Sequence, residues 1–134
     1  MIFVDTNYFL RFFLDDNLSQ HNLASELFEK ASLGKVDLCT DILVILEVYW
    51  VLKKYYKIDN TLVRQTVLNI LNMNFIELPE KAILRDSLHN IDKFNYDFED
   101  VYHFFYCQAN KVDQIATFDK KLSKKFKNFI FKID

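Results

Sequence analysis

Four acidic residues, Asp5, Glu47, Asp100 and Asp119, occupy sequence positions where ordinary surface solvation is a poor explanation for a carboxylate. Asp5 ends the apolar run of MIFVDTN, and Asp119 ends that of QIATFDKK. Glu47 lies inside DILVILEVYWVL, with apolar residues on both sides, and Asp100 lies in NYDFEDVYHFF together with Asp97. An ionised glutamate inside so apolar a helix is costly unless it is paired or holds a metal. Several carboxylates sharing a dry cleft cannot all stay ionised without cations, whereas Mg²⁺ or Mn²⁺ binds carboxylates together with water and phosphate oxygens. Such a centre polarises a phosphoryl oxygen and makes hydroxide from bound water, the chemistry of phosphodiester hydrolysis.

Each acid also has a plainer explanation. Asp5 and Asn7 suit a turn or a helix cap, and Asp119 suits the N-cap of DKKLSKK. Glu47 could form a core salt bridge or sit at a helix rim. Asp97 with Asp100 three residues on resembles a capping box, and acids in a first turn suit the helix dipole. This favours a structural role for Asp97, a ligand role for Asp100 and a solvent-facing position for Glu99.

The elements that must position these groups alternate along the chain. Residues 2–4, 35–39, 75–78, 114–118 and 129–133 read as short apolar strands. Between them lie helical patterns: one after Ser19 with Leu23, Leu27, Phe28 and Ala31 on a common face, then about 41–56 with Thr40 as its cap, 61–73, 80–91, 98–111 and the short DKKLSKK. Gly34 stands where a C-terminal glycine cap belongs. Strands alternating with helices predict a parallel sheet with right-handed crossovers, covered on both faces as a three-layer α/β/α sandwich. With no internal linker, repeat or composition shift, the expectation is one domain over residues 1–134. In such sheets ligands bind beyond the carboxyl ends of the strands, where Asp5 and Asp119 are expected.

Bulk properties narrow the function classes. The chain of 134 residues is 51% hydrophobic and 16% aromatic, as a globular domain with bulky core or interface material would be. Its two cysteines, Cys39 and Cys107, make neither a CxxC pair nor a zinc-like spacing, which argues against disulfide and structural-zinc frameworks. Charged residues interrupt every apolar stretch, and no leader pattern opens the chain, so a soluble cytoplasmic protein without a membrane partner is expected. The net charge of -2 speaks against a uniformly basic nucleic-acid surface, but setting four acids aside at a cation leaves 17 basic against 15 acidic residues.

Taken together, VDTNYFL, TDILVILEVYWVL, DFEDVYHFF and IATFDKKLSKK resemble, in order and spacing, the motifs of PIN-domain ribonucleases, particularly the VapC-type toxins of toxin–antitoxin pairs. The resemblance spans almost the whole chain. It implies a PIN-like fold and an endoribonuclease dependent on one or two Mg²⁺ or Mn²⁺ ions, with the family's acids falling on Asp5, Glu47, Asp100 and Asp119. Thr6, Asn7 and Thr117 match the family's polar positions as hydrogen-bonding supports, and Asp97 is a supporting acid that a shifted register would exchange with Asp100. It also implies RNA as substrate, an antitoxin protein as partner and a homodimer. A haloacid-dehalogenase-type phosphatase would need a second aspartate where Asn7 stands. Nor does the chain offer a receiver domain's mid-chain aspartate and late lysine.

Arg11, Lys53, Lys120 and Lys121 are the leading candidates for RNA contacts, which for such residues are to phosphates. Tyr8, Phe12 and Phe13 are expected to pack rather than to stack on bases. Two other readings share the same residues: a housekeeping RNA-processing PIN nuclease, and a catalytically inert PIN-like protein-binding module, against which four acidic positions count.

Overall fold

The computed structural model describes residues 1–94 and 97–126, and its chain divides into two compact units, Met1–Lys81 and Ala82–Asp134. The first unit holds a parallel sheet of three strands in the order β1-β2-β3: β1 (Ile2–Phe3), β2 (Leu38–Cys39) and β3 (Ile76–Glu77). Ile2 pairs with Leu38 and Leu38 with Ile76, and both pairings are parallel. Parallel neighbours require long crossovers. These are α1 (Thr6–Phe13) and α2 (Leu18–Ser32) between β1 and β2, then α3 (Ile42–Trp50) and α4 (Asn60–Leu71) between β2 and β3.

Capping residues delimit these helices. Asp5, Asn17, Asp41 and Asp59 are the N-caps of α1 to α4, each accepting a backbone N–H from the first turn. Thr40, expected to cap α3, is buried and donates its hydroxyl to Val4 O at 2.9 Å, tying the end of β2 to that of β1. Asp41, one residue on, stands at the N-cap position instead and its Oδ1 accepts from Val44 N at 2.9 Å. Similarly, α2 starts from Asn17 rather than Ser19. It ends as expected at Gly34, with φ at 70°, where Gly34 N donates to Ala31 O and Lys35 N to Lys30 O, both at 2.9 Å, in a Schellman closure. α3 continues as a π-helical turn over Val51–Tyr55, where a short insertion in the helical ladder is absorbed before Lys57 reverses the chain with φ at 52°.

The first unit's buried side chains include Val4, Phe9, Phe28, Leu38, Ile45, Val48, Val63, Val67 and Leu71. Phe12 packs against Phe28 and Phe13, both at ring-centroid distances of 5.0 Å, as expected, and Phe9 meets Phe28 at 5.6 Å, whereas Tyr8, also expected to pack, is exposed. Leu23, expected on the buried face of α2, is 56% exposed, and Ile2 and Phe3 are exposed because β1 lies at an edge of the described sheet.

The second unit contains α5, which opens at Lys81 (Lys81–Phe94), α6 (Phe98–Ala109) and α7 (Lys120–Lys125). Leu84, Leu88, Phe98 and Val101 are fully buried, and Phe94, Phe104 and Phe126 form a ring cluster with centroid distances of 5.1 and 5.2 Å. Residues 114–118 are not a strand: Ile115 alone makes an isolated bridge, and the segment is otherwise irregular. The expected strand over 129–133 lies outside the described residues. The resulting α/β architecture, seven helices with a three-stranded parallel sheet among the described residues, is that of the expected PIN-like class.

Candidate active site

The first unit brings Asp5, Thr6 and Glu47 to the carboxyl end of β1. Asp5 follows the strand, and its Oδ1 accepts from Tyr8 N at 3.3 Å, so the expected cap is real and fixes one oxygen of this carboxylate. Thr6, the first residue of α1, is buried. It donates its hydroxyl to Glu47 Oε2 at 2.7 Å, a charge-assisted bond linking α1 to α3.

Glu47 itself is exposed, which corrects the expectation that its helix buries it. Leu43 and Trp50, 73% and 54% exposed, share its face of α3, while Val44, Ile45 and Val48 fill the interior. An apolar run around the whole helix therefore hid a real outer face. The cost of burying a charge is not what singles Glu47 out; its bond with Thr6 is.

Beside Asp5 lies a cavity of about 350 Å³ lined by Asp5, Asn7, Tyr8, Arg11, Gln20 and Leu23. Arg11 is engaged there rather than turned to solvent. Its Nη1 donates to Asp16 Oδ2 at 2.5 Å and to Tyr56 Oη at 3.5 Å, which holds Asp16 below the usual carboxylate range. Gln20 was not anticipated: it carries no motif and enters the cavity wall only because α2 packs on α1. Lys53, the other early basic candidate, lies 5.8 Å from the centre of the Tyr49 ring.

The second unit gathers Asp97, Glu99, Asp100 and Asp119. Burial pushes the Asp100 carboxyl above the usual aspartate value, and the charges of Asp97, Asp119 and, less strongly, Glu99 add to the effect, opposed by His103. Glu99, expected to face solvent, is half-buried and takes part in this field. Asp97 is the N-cap of α6, but its side chain makes no capping hydrogen bond, so the capping box does not form. Asp119 does cap α7, its Oδ1 accepting from Leu122 N at 3.0 Å, while its own N–H donates to Thr117 Oγ1 at 3.0 Å. Thr117 thus holds the backbone that carries Asp119. Lys120 and Lys121, at the start of α7, are exposed.

The donors in both units are carboxylate oxygens with a threonine hydroxyl in support, the hard oxygen chemistry that suits Mg²⁺ or Mn²⁺ rather than zinc. Mutual repulsion around Asp100 is the kind a cation relieves. Among the described residues, no group of three or more His, Cys, Asp or Glu is disposed to hold a metal ion. No helix among them is long and apolar enough to cross a membrane.

A parallel sheet with an acid at the carboxyl end of its first strand places the chain in the broad class of α/β proteins that bind ligands at that edge. Within that class its fold is of nuclease type: the sequence model of the PIN domain family matches residues 2–127, and the chain belongs to that family. PIN domains are generally nucleases that act on RNA and typically use divalent metal ions. Neither the curated proteins nor the solved structures compared with the chain gave a match.

Proposed function

We propose that the protein is a metal-dependent endoribonuclease, with Asp5, Glu47, Asp100 and Asp119 contributing carboxylates to one or two Mg²⁺ or Mn²⁺ ions. What supports this most directly is the grouping of acids in the second unit, where partly buried Asp100 lies near enough to Asp97 and Asp119 for burial and their charges to raise its pKa, an arrangement that a cation would relieve. A divalent ion bound there would polarise the phosphoryl group and lower the pKa of a bound water. The chain's own residues orient the donors. Thr6 fixes the rotamer of Glu47 through its hydroxyl, the α1 cap holds Asp5, and Thr117 with the α7 cap holds Asp119. Asn7, in the cavity wall beside Asp5, offers an amide to water or a phosphate oxygen. Lys53, Lys120 and Lys121, together with the cavity residue Arg11, would draw and hold the polyanion.

The biological setting we infer is that of the toxin in a VapBC-type pair, acting in the cytoplasm as a homodimer and restrained by an antitoxin protein. The exposed apolar face of α3, with Leu43 and Trp50, offers surface for one of these protein contacts.

Incubating purified protein with RNA in Mn²⁺ or in EDTA tests the chemistry. Cleavage should require the metal and fall by roughly 100-fold or more in Asp5→Asn and Asp100→Asn, as removal of a transition-state electrostatic partner does. Undiminished cleavage in both variants would refute the assignment. Induced expression should arrest growth, and co-expression of a neighbouring small gene product should relieve the arrest; growth unaffected by an active nuclease would favour a housekeeping role.

A further inference from the structure

Phe118 is the most exposed of the large apolar residues described, at 106% relative exposure. It was expected at the end of a buried strand, yet the segment that carries it is irregular. The exposure is not that of a loose end. Asp119 N donates to Thr117 Oγ1 and Leu122 N donates to Asp119 Oδ1, so the backbone on both sides of the ring is held. A phenyl ring standing in water on a held backbone, about one Cα step of 3.8 Å along the chain from Asp119, is an aromatic face open to a partner.

The charges around the ring indicate what that partner is. Lys120 and Lys124 follow on α7, both exposed and four residues apart on one face, so two cations lie close along the chain to the ring. Cations beside the ring would disfavour an apolar protein segment, whereas a nucleic-acid strand offers phosphates to the lysines and π-faces to the ring. In a duplex both faces of each base are already stacked, so only an unpaired base can use the ring. We propose that Phe118 is the stacking platform for an unpaired base of an RNA strand, with Lys120 and Lys124 holding adjacent phosphates, so that the neighbouring linkage is presented to Asp119 and Asp100. This rests on the nuclease reading of the same acids and adds to it the side chain that seats the substrate strand.

Binding can be measured apart from cleavage, in EDTA, by the fluorescence anisotropy of a short 5′-labelled single-stranded RNA and of the same strand annealed to its complement. Phe118→Ala should weaken single-strand binding by about 5- to 100-fold, the range for loss of one stacked base, and Phe118→Trp should restore it. Duplex affinity and thermal unfolding should not change. Lys120→Gln should weaken binding of both RNAs and lower the salt dependence of log Kd by about one unit. Single-strand affinity unaltered in Phe118→Ala, an equal loss for the duplex, or a fall in melting temperature showing that the ring is buried would each overturn the proposal. The two readings fail separately. Cleavage by the wild type in Mn²⁺ with Phe118→Ala binding normally retains the nuclease and removes the platform. Binding that depends on Phe118 without any cleavage retains the platform and removes the nuclease.

Discussion

Thr6→Val isolates the bond that ties α1 to α3. Valine keeps the volume and the buried methyl group of Thr6 and removes only the hydroxyl that donates to Glu47 Oε2 at 2.7 Å. Hydrogen bonds to charged groups contribute about 1.5–3 kcal/mol, but Glu47 is exposed and water can replace the lost donor, so about 1 kcal/mol is the expected destabilisation. For a chain of this length that corresponds to a fall in Tm of about 3–5 °C. Calorimetric unfolding of wild type, Thr6→Val, Glu47→Ala and the double variant forms a cycle whose coupling should be about 0.5–1 kcal/mol. Thr6→Ser, which keeps the hydroxyl, should couple like the wild type. If Glu47 is a cation ligand, Thr6→Val should also weaken Mn²⁺ binding at least about tenfold, the effect of removing a group that orients a ligand. A coupling below about 0.3 kcal/mol would show that Thr6 does not position Glu47, and the role assigned to the pair would fall with it.

Asp5 and Asp119 each combine a cap with a charge, and two substitutions separate these roles. Asp→Ala at either position should cost about 1 kcal/mol of stability in urea unfolding, whereas Asp→Asn, which still accepts from Tyr8 N or Leu122 N, should cost only a few tenths while still abolishing cleavage. In metal-free protein the Asp100 carboxyl should titrate above the ordinary aspartate range when followed by carboxyl ¹³C chemical shifts, and Asp97→Asn should move its midpoint down. Because folding raises this pKa, the folded state binds the proton more tightly than the unfolded chain. Its contribution is therefore present below the unfolded pKa and is lost as pH rises through the folded one. Divalent cation should accordingly stabilise the protein more at pH 7 than below that window. Lys111, with φ at 53°, occupies the left-handed position of a Schellman closure in which Val112 N donates to Cys107 O at 2.9 Å, so Lys111→Gly should raise stability by about 0.5–1 kcal/mol by thermal unfolding.

Whatever depends on neighbours along the chain was readable beforehand. Gly34 had to end α2, because a left-handed residue with no side chain is what that closure demands. The alternation of apolar runs and helical periods indicated the parallel α/β order, and Asp5 and Asp119 were readable as acids at the ends of such runs. Competing local solutions were not separable. Thr40 and Asp41 are both good caps, and only the position of Val4 O decided which side chain turned inward. α1 also escaped notice, since its eight residues are too few for a helical period to stand out from an apolar run.

By itself, then, the sequence determined the family and the alternation of most of the elements and singled out the acids as candidates, because motifs and periodicities are properties of residue type and spacing. Only the tertiary structure decided that Glu47 faces outward and receives the Thr6 hydroxyl from 41 positions away, that Asp119 shares a field with Asp100, and that Phe118 stands in water. The physical reason is the same each time. Which face of a helix or loop turns inward depends on what packs against it, and that partner is distant in the chain.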